Sequence, residues 1–220
     1  MTDANKNNGV IFDLDGVLID TGRFHKQAWY DLAQKQGFHV SDEVFYNTFG
    51  MQNYQIIPIL AGQDLPAEDI ERFSEWKEKR YRELAAGKLT SLPGAKNLID
   101  DLKQKGFLLA IGTSTPRVNV TFITEQVPLL KRLDAFVTGE DVTKGKPHPD
   151  TFLKAAERLS LTPNRCLVVE DAVQGVEAGK AAAMAVVAVT TTRRREDLKQ
   201  ADLIVDSLTQ LKAEDFLKLL

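Results

Sequence analysis

Cysteine is almost missing: Cys166 stands alone in a chain of 220 residues, so no disulfide closes within the chain and no cysteine cage for zinc exists. Its place before the apolar run Leu167, Val168 and Val169 reads as a buried, inert thiol. A surplus of one charge is missing too. Lys and Arg number 28 against 31 Asp and Glu, a net charge of −3, which removes the electrostatic footprint of nucleic-acid binding. The one basic run, Arg193 to Arg195, is followed at once by Glu196 and Asp197 and reads as a solvated loop entering a helix, with anion binding as the lesser reading. No stretch approaches the ~20 apolar residues of a membrane span, and the opening MTDANKNNG lacks the apolar core of a secretory leader. These absences lead us to expect a cytoplasmic protein with neither nucleic-acid nor membrane partners.

What is present is an ordinary globular composition, 43% hydrophobic and 27% charged, in a chain long enough for one large domain or a domain with an insertion. Residues 10 to 20, VIFDLDGVLID, organise the rest. Val10, Ile11 and Phe12 read as a buried parallel strand, and Asp13 and Asp15 follow it two apart, with Gly16 behind them. In extended backbone, alternate residues share a side, so both carboxylates project together from the strand end while Gly16 lets the chain turn. Like charges that close need a cation or a shared proton. The bland alternative is a capping aspartate and a turn aspartate after a core strand.

Residues 22 to 86 carry helical periodicity without a convincing strand. Phe24, Ala28, Trp29, Leu32 and Ala33 mark one helical face ending near Gly37. Short helices are expected over 42 to 48 and 52 to 61, and Pro66, Glu68 and Asp69 open a long helix reaching Ala86. From Pro93, helices and short apolar runs alternate. Helices are expected at 95 to 105, 117 to 126, 149 to 159, 173 to 182, 195 to 200 and from 213; strands are expected at 107 to 111, 135 to 137, 165 to 169, 184 to 189 and 203 to 205. The alternation predicts an α/β fold: a doubly wound parallel sheet with a Rossmann-like core and an inserted α-helical cap domain. The core is expected to comprise 1 to 21 and 91 to 220, the cap 22 to 90.

In open α/β sheets, ligands bind beyond the carboxyl ends of the strands. After the predicted strands come Asp13 and Asp15; Thr113, Ser114 and Thr115; Lys146 beyond a loop; and Glu170 with Asp171. Carboxylates, hydroxyls and one lysine on a single rim suit magnesium-assisted phosphoryl transfer, since a hard cation takes carboxylate oxygens while lysine and hydroxyls hold phosphate oxygens.

The stretch DLDGVLIDT, Thr113, Lys146 in GKPHPD, and Glu170 and Asp171 in VVEDAVQGVEAG together resemble the haloacid dehalogenase superfamily, in its β-phosphoglucomutase-like subgroup. The resemblance covers essentially the whole chain. It implies Asp13 as the nucleophile that becomes an aspartyl phosphate and Asp15 as general acid and base, with a pKa raised inside a closed lid. It further implies Mg2+ held by Asp13, the Asp15 carbonyl and Asp171, with Glu170 acting through water. Thr113, the Ser114 amide and Lys146 hold the transferring phosphoryl group. Gly175 and Gly179 are expected to serve close helix packing.

Substrate choice falls to the cap. Lys77 shares a helical face with Ile70, Phe73, Tyr81 and Leu84, where it either snorkels to water or reaches the core site. His25, on the face of Ala28, Trp29 and Leu32, is either a satisfied structural histidine or, with Asp20 and Thr21 before it, part of a gating segment like that of the subgroup. Where a phosphomutase of this kind carries a Lys-Gly pair and then an arginine for a second phosphate, this chain has Phe49, Gly50 and Asn53. Arg117 is expected to restore part of that charge from the core side. The reading is therefore a monomeric phosphatase of small phosphorylated metabolites, sugar phosphates foremost. The alternatives are a β-phosphoglucomutase-type mutase and, further off, a non-enzymatic phosphoacceptor module.

Overall fold

The computed structural model describes residues 7–220, so most of the polar opening segment read above as lacking a leader lies outside the described residues. Six strands form one sheet, β1 (Gly9–Phe12), β2 (Leu108–Gly112), β3 (Ala135–Val137), β4 (Cys166–Glu170), β5 (Ala185–Val189) and β6 (Leu203–Val205), in the order β3-β2-β1-β4-β5-β6. Every pairing is parallel. The chain winds outward from β1 in both directions, which puts the topological switch point beside the end of β1.

Side-chain alternation divides the core into two layers. Val10, Phe12, Leu109, Ile111, Leu167 and Val169 face one way, against α5 (Ala95–Gln104), α6 (Arg117–Gln126) and α9 (Ala213–Leu217). Ile11, Ala110, Val168, Val186 and Ala188 face the other, against α7 (Asp150–Arg158) and α8 (Val173–Ala181). Both faces of β1 are sealed, as its unbroken apolar run requires.

Between β1 and α5 lie α1 (Gly22–Gln36), α2 (Asp42–Thr48), α3 (Asn53–Ala61) and α4 (Ala67–Ala85). Gly37 ends α1 in the left-handed conformation, and Ser41 caps α2 by accepting from the Val44 amide. These helices gather a third apolar cluster of their own, Trp29, Leu32, Phe45, Phe49, Ile56, Ile57, Leu60 and Phe73. The lower ends of α1 and α4 also enter the sheet core through Phe24, Ala28, Tyr81 and Ala85. Polar ties close the rim. Gln52 donates to the Gly139 carbonyl at 3.0 Å, Arg82 donates to Asn119 at 2.7 Å, and Gln174 donates to the Asn47 carbonyl at 3.1 Å.

The strands and helices match the expected alternation, with two corrections. Residues 195 to 200 hold only a 3-10 turn over Arg195–Leu198, because Leu198 is its single buried residue. The basic run is also not uniformly solvated. Arg193 turns inward and donates to the carbonyls of Tyr46 and Phe49 at the end of α2, where free helix carbonyls favour a cation. Among the described residues no helix is long and apolar enough to cross a membrane.

Ile11, fully buried in the sheet, and Ile59, half exposed on α3, make a test of this layering. Ile11→Ala is expected to cost about 2–5 kcal/mol in urea unfolding. Ile59→Ala should stay within about 0.5 kcal/mol.

Candidate active site

The backbone of Asp13 donates to the Val169 carbonyl at 2.9 Å, so the strand ladder carries on by one residue and fixes where the Asp13 carboxylate begins. Glu170 and Asp171 end the neighbouring strand. Carboxylate oxygens of Asp13, Glu170 and Asp171 lie within 4.8 Å of one another, and all three residues are buried. Lys146 reaches into this group, donating to Asp13 Oδ1 at 2.7 Å and Glu170 Oε1 at 2.5 Å. Burial lowers the lysine's pKa, but the two carboxylates outweigh it and raise the net value.

One lysine does not balance three carboxylates. Burial, then the charges of Glu170 and Asp15, push Asp13 up to about 7 in spite of Lys146. Burial and the charges of Glu170 and Asp13 hold Asp171 well above the usual carboxylate range. Asp171 Oδ1 is buried without a hydrogen-bond partner, while its Oδ2 accepts from Thr192 at 2.6 Å. A hard divalent cation fits this donor set: it would supply the missing positive charge and a partner for the orphaned oxygen. Two glycines make the room. A Cβ on Gly16, whose φ is +80°, would fall 2.1 Å from Asp171 Oδ2, and one on Gly175 would fall 1.9 Å from the Glu170 carboxyl. Gly175 therefore serves the acidic cluster and not helix packing, whereas Gly179 does pack, against Val168 and Val186.

Asp15 departs from expectation. Its carboxylate accepts from Thr21 at 2.5 Å and from Thr115, and His25 Nε2 lies 3.4 Å away. Burial pushes its pKa up, but hydrogen bonding and charge from His25, with the two threonine hydroxyls, bring it down to about 2. The raised pKa expected from a closed lid is overturned because three donors outweigh desolvation. With its side chain so engaged, Asp15 has its backbone carbonyl left for a cation.

Thr113, Ser114 and Thr115 form the opposite wall, where the Thr115 amide donates to Thr113 Oγ1 at 3.2 Å and Ser114 Oγ is buried without a partner. Over this floor sits a roof from α1, α3 and α4 that includes Trp29, Asn53, Lys77 and Glu78. Lys77 does not snorkel. It is buried, 2.9 Å from His25 Nδ1 and 2.8 Å from Glu78 Oε1, with its ammonium over the Trp29 ring. His25 stacks on Tyr81 with centroids 3.9 Å apart. Glu78 also accepts from Asn53 at 2.8 Å and from Asn119 at 2.5 Å.

Asp13, Asp15, His25, Asn53, Lys77, Thr113 and Ser114 thus line one chamber, with Thr21 bonded to Asp15 and Lys146, Glu170 and Asp171 gathered at Asp13. Arg117 does not. Its guanidinium pairs with Asp141 at 2.7 Å on an exposed face away from the chamber, because the Asp141 carboxylate is the nearer anion. Sequence reasoning missed Glu78, Asn119 and Thr192, and it missed the use of Thr115 on Asp15. Only Thr115 carried a signal, its place in the hydroxyl triplet after β2.

Residues 10–189 match the family model of haloacid dehalogenase-like hydrolases. The chain is 34% identical over 203 residues to hexitol phosphatase A of Escherichia coli, covering 92% of each, and 31% identical over 173 residues to a phosphorylated carbohydrates phosphatase of Thermotoga maritima, covering 79% of this chain and 80% of that one. Its fold superposes on β-phosphoglucomutase from Clostridium difficile with a TM-score of 0.88 at 28% identity, over 97% of this chain and 96% of that one. On these grounds the chain belongs to the haloacid dehalogenase-like hydrolase family.

Proposed function

We propose that this hydrolase is a magnesium-dependent phosphatase of small phosphate monoesters, sugar phosphates foremost, working through an aspartyl phosphate on Asp13. The observation that carries the reading is the convergence of Asp13, Glu170 and Asp171 within 4.8 Å, with Lys146 bridging the first two, at the floor of the chamber. Asp13, Asp171 and the Asp15 carbonyl would hold the Mg2+. Glu170, already accepting from Lys146 and from the amides of Asp171 and Ala172, supports them from behind. When bound, the cation supplies positive charge at the phosphoryl oxygens.

Lys146 opposes the effect of burial on Asp13, and the charge of a bound cation would complete its ionisation, so that an Asp13 oxygen can bond to phosphorus as the ester oxygen leaves. Thr113 Oγ1, the Ser114 amide and Lys146 Nζ would donate to the transferring oxygens, on a loop held by the Thr115 amide donating to Thr113 Oγ1. Asp15 is ionised here, the form that takes a proton from attacking water in the second half. Protonating the leaving oxygen in the first half falls to Asp15 as well, once it has taken up a proton from water, and His25 Nε2, 3.4 Å away, positions it. Residues 22–90 act as a cap over a core of 1–21 and 91–220, excluding water from the chamber.

A mutase reading draws support from the likeness to β-phosphoglucomutase. The roof opposes it. Lys77 is the one lysine or arginine in it among the described residues, and Glu78 pairs with it at 2.8 Å.

Asp13→Asn is expected to abolish phosphate release from a sugar-phosphate panel, on the order of 10³-fold or more, with the circular-dichroism spectrum unchanged. Release undiminished would remove Asp13 from its role. Conversion of β-glucose 1-phosphate to glucose 6-phosphate without net phosphate release would favour the mutase. In Gly175→Ala the added methyl displaces Glu170, and Mg2+ affinity by calorimetry should fall about 10–100-fold. Gly179→Ala should instead cost about 1–3 kcal/mol of stability and leave Mg2+ affinity alone.

A further inference from the structure

We propose that Glu78 is a charge filter for the leaving group. The buried carboxylate in the roof of the chamber admits a neutral, hydroxyl-bearing tail and rejects a tail that carries a carboxylate or a second phosphate. This rests on the phosphatase reading and specifies its substrate class.

The roof facing Asp13 is built from Trp29, Phe49, Met51, Ile56, Asn53, Lys77 and Glu78. Its apolar members suit the carbon skeleton of a small metabolite and carry no charge. Lys77 is the cation among them, and two of its three donors are committed, one to His25 Nδ1 at 2.9 Å and one to Glu78 Oε1 at 2.8 Å, while its ammonium lies over the Trp29 ring at 4.6 Å. The paired Lys77 and Glu78 offer no net positive charge to an anion entering from the floor side. Such an anion meets Glu78 instead.

Glu78 is held as a carboxylate. Burial opposes its ionisation, but Lys77, His25 and the Asn53 and Lys77 hydrogen bonds outweigh that and lower its pKa. An ionised carboxylate has about four acceptor positions and no donor. Three are taken, by Lys77 and Asn53 on Oε1 and by Asn119 on Oε2, so one remains on Oε2 of a residue that lines the chamber. Asn53 turns its Nδ2 to Glu78, which leaves its Oδ1 as a second acceptor. The roof thus presents acceptors to the tail of the substrate. Sugar and polyol hydroxyls are donors and match them; phosphate and carboxylate are acceptors with like charge and do not.

Asn119, on α6 of the core, anchors Glu78 from the far side and in turn accepts from Arg82 at 2.7 Å. The carboxylate is fixed by both layers and cannot swing away from an unwelcome charge. A merely structural Glu78 would have the same contacts, so the test reads discrimination and not activity alone.

The matched pair is glucitol 6-phosphate and gluconate 6-phosphate, whose tails differ by a hydroxymethyl against a carboxylate. With Mg2+ present, the intact wild-type chain should hydrolyse the glucitol ester with kcat/KM at least about tenfold higher, the difference lying in KM. Glu78→Gln keeps the acceptor and the size but removes the charge, and should shrink that ratio about tenfold or more. Equal kcat/KM for the two esters in the wild type overturns the proposal. So does a Glu78→Gln variant that is active but has an unchanged ratio, since a structural role lowers both substrates together. If Glu78→Gln does not fold, the wild-type ratio alone decides. Failure of the folded wild type to release phosphate from any sugar phosphate in the panel contradicts the phosphatase reading, and the filter falls with it; normal release with no preference between the pair contradicts the filter alone.

Discussion

Lys146 sets its ammonium 2.7 Å from Asp13 and 2.5 Å from Glu170, and the rest of the site is arranged around the charge it fails to cancel. Three buried carboxylates against one lysine crowd negative charge into a low-dielectric rim, a costly arrangement that raises the pKa of Asp13 and Asp171. The sheet makes this possible. β1 is paired on both edges, so Asp13 and its neighbours are positioned by a rigid ladder. Gly16 and Gly175 then remove the side chains that would keep the acids apart. A divalent cation would offset that charge, which would tie the stability of the rim to the binding of its ligand.

The second carboxylate of the opening motif has the opposite environment. Asp15, two residues from Asp13, is surrounded by three donors, two from the start of α1 and one from the loop after β2, and stays ionised, while Asp13 is pushed toward neutrality. Neighbouring acids with divergent pKa values are the pattern from which acid and base roles are drawn. Here the divergence depends on the helices above the sheet, because His25 comes from α1 and is itself braced by Lys77 and Tyr81 from α4. The position of the helical block and the protonation of Asp15 are therefore coupled.

Much of this was legible in the sequence, for physical reasons. Strand periodicity placed Asp13 and Asp15 on one side, and the alternation of apolar runs with helical segments placed Thr113, Lys146, Glu170 and Asp171 at strand ends that a doubly wound sheet brings together. What failed depended on a partner remote in sequence. Glu78 adjoins Lys77, and adjacent helical residues do not share a face, so periodicity put it outside; Asn119 of α6 is what draws it in. Arg117 was expected at the phosphate because it follows the hydroxyl loop, yet Asp141 takes its guanidinium. Arg193 sits in a basic run that looks solvated, and only the carbonyls at the end of α2 show why it turns inward. Gly175 has ordinary helical neighbours, and its purpose appears only when Glu170 is seen against it.

The central claim is that Asp13 takes the phosphoryl group before water does. Acid quenching of the magnesium-loaded protein within milliseconds of mixing with a hydrolysed sugar phosphate, followed by borohydride reduction and peptide mass spectrometry, addresses it directly. The account predicts homoserine at position 13, formed by reduction of an aspartyl phosphate, and none at Asp15 or Asp171. Full turnover with Asp13 unmodified at every time point, or with the label on another residue, would contradict it.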